Sequence, residues 1–201
     1  MKTKEMRVVV TLLDEMLGMS PSNPEVADEF IASKAPDAKS RTEEIEALGV
    51  EAVQEKSKTV FPRLENGKPF IWDYQIKGFF KDACGSLNRV KGITESSKLK
   101  AYKKIIDGLI FIKERKIPIE IMPGRGIGTC QRPLRAQTMQ GERVALASSE
   151  TVPEGSTIEF TVQLLDESLE KVVLEWLDYG ALRGFGQWRN SGKGRFTYEI
   201  K

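Results

Sequence analysis

Residues 6–13, MRVVVTLL, are apolar at nearly every position, the pattern of a strand covered on both faces. Residues 157–165, TIEFTVQLL, instead alternate, placing Ile158, Phe160, Val162 and Leu164 on one face after the turn PEGS. From 168 to 179 the period changes. Leu169, Val172, Val173, Trp176 and Leu177 recur at i, i+3, i+4, i+7 and i+8, which predicts an amphipathic helix. Ser168 is its expected cap, and Gly180 its expected left-handed terminator. A second helical face, Ile76, Phe80, Ala83 and Leu87, lies within 72–87 behind an expected Asp73 cap, with Lys77 and Lys81 together on another face. Leu99, Tyr102, Ile105 and Ile106 predict a third helix, capped by Ser97 and ended by Gly108.

The remaining segments read as shorter elements. KTVFPRL (58–64) predicts a strand, and LIFIKERKIPIEI (109–121) a strand, turn and strand. MPGRGIGTCQRP (122–133) reads as a loop, and the stretch after it as a hairpin turning at Gln140-Gly141. RFTYEI closes the pattern as a strand with Phe196, Tyr198 and Ile200 on one face. Residues 25–57 read as polar helix interrupted by Pro36 and Gly49. Strands and helices are mixed and hairpins are prominent, which predicts an α+β fold: an antiparallel sheet backed by helices. We expect one domain over 1–201, with 25–57 an acidic helical insertion and 180–196 a glycine-rich loop.

Composition narrows the chemistry. No histidine occurs among the 201 residues, which removes nucleophile systems that depend on an imidazole base and histidine-containing metal sites. Cys84 and Cys130 are far apart and match no zinc spacing, so they are expected to be buried thiols. No metal and no cofactor is expected. Hydrophobic residues make up 40% of the chain, enough for a core without disulfides. No apolar run approaches the roughly 20 residues that span a bilayer, and MKTKEMR lacks the apolar core of a secretory leader. A cytoplasmic protein with no membrane partner is expected.

The net charge of +2 matters less than its distribution. Residues 25–55 carry nine acids against three bases, whereas 180–195 carry Arg183, Arg189, Lys193 and Arg195 and no acid. A near-neutral chain can therefore present a local positive field to a polyanion. The stretch GFGQWRNSGKGRF, Gly184 to Phe196, combines that charge with four glycines. Glycine lets a ligand approach the backbone, and successive exposed N–H groups can cradle phosphate. It is not a triphosphate P-loop, because Gln187 replaces the first glycine and Gly194 replaces the hydroxyl residue after Lys193. GRGIGT (124–129) has no following helix and is no dinucleotide loop. Trp188 has two readings, a stacking platform for an unpaired base or a core anchor.

Gly184-Phe185-Gly186, five residues, then Gly192-Lys193-Gly194-Arg195-Phe196 resembles the C-terminal glycine-rich motif of the RAMP superfamily, the repeat-associated RNA-binding proteins of CRISPR systems. Its position, after the last helix and before the last strand, resembles theirs as well. VVVTLLDEMLG is similar to the superfamily's first strand, and ETVPEGSTIEFTVQL to the strand-turn-strand before the last helix. Ile76-Lys77-Gly78-Phe79-Phe80-Lys81 resembles the entry to the first helix of backbone-type members, but the serine pair is absent. The resemblance implies a ferredoxin-like (RRM-like) β-α-β-β-α-β core and a CRISPR-associated role in antiviral defence.

It also implies RNA binding. The expected nucleic-acid contacts are Gly184, Gly186, Trp188, Arg189, Gly192, Lys193, Gly194 and Arg195, then Lys77 and Lys81, then Arg125, Arg132 and Arg135. Some type III backbone members cut RNA with an aspartate in the loop after the first strand. Here that loop is GMSPSNPE, with Asp14 before it and Asp28 beyond it, so the role does not carry over. We therefore expect no catalytic residue. The partners expected are single-stranded RNA or DNA, and other effector-complex subunits or copies of the chain itself. Two alternatives stay open at this point. One is a histidine-free ribonuclease that processes guide RNA. The other is a mobile-element protein that mimics an effector subunit or binds protein partners, which the acidic segment motivates.

Overall fold

The computed structural model describes residues 3–22, 58–90, 92, 94–138 and 141–201, with the backbone alone at 134–138 and 141–145. In chain order the strands are β1 (Lys4–Leu12), β2 (Met16–Leu17), β3 (Ser20–Pro21), β4 (Thr59–Val60) and β5 (Phe70–Trp72). Helices α1 (Asp73–Leu87) and α2 (Tyr102–Leu109) follow, then β6 (Ile110–Ile112), β7 (Lys116–Glu120), β8 (Gly128–Thr138), β9 (Gly141–Val152) and β10 (Thr157–Leu164). Helix α3 (Glu170–Tyr179) and β11 (Phe196–Ile200) complete the chain. The fold is mixed α/β, and it divides into two compact units. The expected acidic insertion, 25–57, lies outside the described residues.

The larger unit draws on 1–16, 62–126 and 152–201. Its sheet runs β11-β1-β10-β7-β5, with β6 pairing the other half of the same β10 edge. Its ladders are antiparallel, including Val8 opposite Phe160, Leu12 opposite Phe196, Val162 opposite Ile112 and Ile158 opposite Ile119. Period-2 geometry sends alternate side chains to opposite faces. Met6, Val8, Val10, Leu12, Ile158, Phe160, Val162 and Leu164 are buried on one face. They meet Ile76, Phe79, Phe80 and Ala83 of α1 and Val172, Val173, Trp176 and Leu177 of α3, all buried as well. Each such large side chain contributes about 1.5–3 kcal/mol on burial. The other face carries Glu5, Arg7, Thr11, Glu159, Gln163, Thr197 and Glu199. β1 is thus buried on one face, not on both as its composition predicts. Its second face is apolar only at the half-buried Val9.

Several boundaries differ from expectation for local reasons. Trp72, not Asp73, caps α1, because the Gln75 side chain accepts from the Trp72 amide at 2.8 Å. Asp73 instead meets Arg115 at 2.5 Å. α3 is entered through a short 3-10 turn, Glu167–Leu169, and Asp166 rather than Ser168 supplies the capping oxygen, at 2.9 Å from the Ser168 amide. Ser97 lies in another 3-10 turn, Ser96–Lys98, and α2 starts five residues later and runs one past Gly108. Gly180 ends α3 in the right-handed region, φ −58°. It is small for a different reason: a Cβ there would stand 2.1 Å from the Phe196 ring.

Among the described residues the smaller unit holds 17–22, 58–61, 127–138 and 141–151. Its main feature is the β8–β9 hairpin, paired from Gly128–Thr151 to Thr138–Gly141. The ladder bears out the expected hairpin, but its start at Gly128 puts strand where a loop was expected through 133. β3 pairs β4, and Thr59 meets Ser149 of β9 through a 2.7 Å hydroxyl contact. The strand expected over 58–64 is reduced here to β4; Arg63 makes an isolated bridge to Pro69 in the larger unit. Both cysteines are free, Cys84 buried and Cys130 half-buried. Burial raises the Cys84 thiol above its ordinary range.

Candidate nucleic-acid interface

The glycine-rich loop begins where α3 ends and folds back on itself before entering β11. The Phe185 amide donates to the Gly194 carbonyl at 2.8 Å, and the Gly194 amide donates to the Glu15 carbonyl at 2.9 Å. The Leu13 amide donates to the Arg195 carbonyl at 2.7 Å, and the Phe196 amide to the Gly180 carbonyl at 3.2 Å. The loop is therefore clasped to the segment just after β1 and to the end of α3. Phe185 and Phe196 stack at 4.3 Å, and Phe79 of α1 meets both edge-on at 4.8 and 5.4 Å. Trp188 is 42% exposed, so the core-anchor reading does not hold; Phe185, 2% exposed, takes that place.

The glycines divide into two kinds. Gly184, Gly186, Gly192 and Gly194 all have positive φ, between 73° and 80°. A Cβ on Gly184 would lie 2.3 Å from the Gly194 carbonyl carbon, and one on Gly194 would lie 2.1 Å from the Phe185 oxygen. Both are buried, and the backbone that approaches them is the protein's own. Gly192 is different. Only the Arg195 guanidinium comes near, at 3.6 Å from where a Cβ would stand. Gly192 closes a 3-10 turn, Arg189–Ser191, that Trp188 enters with φ 57°. At this tip, Trp188 to Gly192, the Ser191 and Gly192 amides close the turn, and Trp188, Asn190 and Ser191 are exposed.

The cations of the loop are not isolated. Arg189 reaches Asp82 of α1 at 2.9 Å, and Arg183 reaches the same carboxylate at 3.0 Å. Arg195 pairs with Asp14 at 2.7 Å, and Lys193 pairs with Glu15. The Asp82 hydrogen bond raises the Arg183 guanidinium further above its ordinary range, and the Asp14 hydrogen bond does the same for Arg195. Four cations thus face three carboxylates that the linear sequence keeps far away. The local field is weaker than an acid-free segment suggests. Asp14, Glu15 and Asp82 escape sequence reading because nothing local marks them as counter-ions.

The other expected contacts lie elsewhere. Lys77 sits 4.8 Å over the Phe111 ring and donates to the Asp107 carbonyl at 3.2 Å; burial lowers its ammonium below the usual range. Lys81 pairs with the Asp107 carboxylate at 2.7 Å. Arg125 lies 4.0 Å from Glu154 on an exposed turn. Arg132 is on β8 in the smaller unit, half-buried. Arg135 is on the same strand, but its side chain lies outside the described residues. The structure brings Gly184, Gly186, Trp188, Arg189, Gly192, Lys193, Gly194 and Arg195 together, and Asp82 ties α1 to them.

Among the described residues no group of three or more acids and cysteines gathers as a metal site. Among them, too, no helix is long and apolar enough to cross a membrane.

No family model matches the chain, and no curated protein matches it. Solved structures do. A chain of the type III-B Cmr-β complex bound to cognate target RNA aligns with a TM-score of 0.56 at 11% identity. The alignment covers 100% of the present chain and 60% of the other, so the present chain spans about three fifths of its neighbour's length. A chain of a type IV-B CRISPR complex aligns with a TM-score of 0.47 at 11% identity, over 98% and 90% of the two chains. The first alignment shows a fold similar to that of a chain of the type III-B Cmr-β complex.

Proposed function

We propose that this chain is a RAMP-like subunit that binds single-stranded nucleic acid, RNA in preference to DNA, without cutting it. The observation that carries the reading is the clasped glycine loop, with an exposed Trp188 tip beside Arg189, Lys193 and Arg195, on a fold similar to that of a subunit in an RNA-bound effector complex. The sheet order β11-β1-β10 followed by β6 and β7, with α1 and α3 on one face, supports a ferredoxin-like core. On its polar face Glu159 pairs with Arg7 and Glu5 with Lys113, so that face carries no excess of cations for phosphate and the loop is the better interface.

Pairing of the loop cations does not oppose this role. The side chains of Arg189, Lys193 and Arg195 are 28%, 26% and 43% exposed, and ion pairs near the surface contribute about 0–1 kcal/mol each. A phosphate can displace such a carboxylate at small cost, and an arginine then binds it through two parallel hydrogen bonds. Trp188 would stack on an unpaired base, and arginine and lysine would hold the adjoining backbone. The partners proposed are RNA and neighbouring subunits of an effector assembly.

Fluorescence anisotropy with labelled single-stranded RNA and DNA tests the reading. The expected result is salt-sensitive binding that prefers RNA and falls in an R189A/K193A/R195A variant. Binding that is absent at low ionic strength, or unchanged in that variant, overturns it.

A further inference from the structure

A groove of the larger unit, lined by no residue of the glycine loop, lies between the end of α1 and the start of α2. Its volume is about 640 Å³, and Asn88, Leu99, Lys100, Tyr102, Lys103 and Lys104 line it. Lys100, Lys103 and Lys104 are exposed, and no carboxylate among the described residues pairs with them. The contrast with Arg183, Arg189, Lys193 and Arg195, each paired, is plain. Lys103 and Lys104 lie in the first turn of α2 and Lys100 just before it, where cations oppose the helix dipole and where no acid compensates them.

The segment that carries them is held firmly. The Glu175 carboxylate of α3 accepts from the Glu95 and Ser96 amides at 2.8 and 2.9 Å and from the Ser96 hydroxyl at 2.6 Å. The buried Trp176 indole donates to that same hydroxyl at 2.9 Å. Asn88 donates its side-chain amide to the Leu99 carbonyl at 3.4 Å. The groove is thus a mixed surface that combines lysines with the Leu99 and Tyr102 side chains. That combination suits nucleotides, which present a charged backbone and a flat apolar base. It suits a lone phosphate or an all-acidic chain such as poly-glutamate less well, since neither presents a flat apolar group to the Leu99 and Tyr102 wall.

The geometry points to this groove as a second contact for a single nucleic-acid strand, with Lys100, Lys103 and Lys104 on its phosphates. The inference rests on the nucleic-acid reading above but not on the glycine loop. Its test is a salt titration of oligo(U) binding by anisotropy, comparing the unmodified chain, K100A/K103A/K104A and R189A/K193A/R195A. The K100A/K103A/K104A variant is expected to bind about tenfold more weakly or worse. Its log–log salt slope should be shallower by about 2, since each single-strand phosphate contact contributes about 0.7. Lysine acetylation footprinting of the unmodified chain provides a readout that needs no variant. Oligo(U) should protect Lys100, Lys103 and Lys104 but not the exposed Lys68, which pairs with Glu120. Oligo(U) binding with neither a changed slope nor protection overturns the second contact and leaves the loop reading standing. No oligo(U) binding by any chain overturns both. Poly-glutamate that protects the three lysines as tightly as oligo(U) also overturns the inference, in favour of an acidic protein partner.

Discussion

Gly184 and Gly194 lie back to back, so that a Cβ on Gly184 would stand 2.3 Å from the carbonyl carbon of Gly194. Between them the Phe185 amide closes a 2.8 Å hydrogen bond to Gly194. The spacing of these two glycines in the motif follows from the protein's own backbone before any ligand is considered.

Gly184→Ala should therefore cost more than Gly192→Ala, although both have positive φ. The left-handed conformation alone costs about 1–2 kcal/mol. At Gly184 a collision adds about 1–3 kcal/mol. Denaturant midpoints of the two variants should differ accordingly, and equal midpoints would remove the clasp from the explanation.

Trp188→Ala should leave folding stability nearly unchanged, since the side chain is at an exposed tip. Oligonucleotide affinity should fall by about 1–3 kcal/mol if the ring stacks on a base. Paired thermal melts and anisotropy curves decide this. A large drop in melting temperature with unchanged affinity would make Trp188 structural.

Asp82→Asn releases Arg183 and Arg189 from their shared carboxylate. If phosphate competes with Asp82, this variant should bind RNA more tightly and with a steeper salt dependence, at a stability cost of about 1 kcal/mol. Weaker binding would mean that Asp82 positions the arginines rather than restraining them.

Tyr198 donates its hydroxyl to Asp178 at 2.8 Å, and burial, followed by that bond, pushes its phenol up to about 12. A pKa raised on folding stabilises the folded chain below the unfolded value near 10 and loses that contribution as pH climbs toward 12. Stability should thus decline across that window, and less so in Tyr198→Phe. Absorbance titration at ~295 nm should show a late-ionising tyrosine that disappears in the same variant.

Much of the architecture was legible in the chain. Ile158, Phe160, Val162 and Leu164 alternate in sequence and line one face of β10 in the structure. Leu169 to Leu177 follow a helical period and face that sheet. Such patterns are local, because strand and helix geometry alone decide which side chains share a face. The ends of elements were less legible. Gln75 and Asp166 take the capping roles that local sequence suggests for Asp73 and Ser168, and Gly180 is required by the Phe196 ring packed against it rather than by a left-handed turn.

By itself, then, the sequence determined the periodic cores of β10 and α3, the absence of imidazole chemistry and the place of the glycine motif between α3 and β11. Only the tertiary structure decided what the motif does locally. It brought Asp14, Glu15 and Asp82 to cations more than a hundred residues away and set two glycines against each other. It also left Lys100, Lys103 and Lys104 without a counter-ion among the described residues. The reason is physical: periodicity is written in neighbours along the chain, whereas charge pairing and backbone crowding depend on distances that only the packed sheet and helices create.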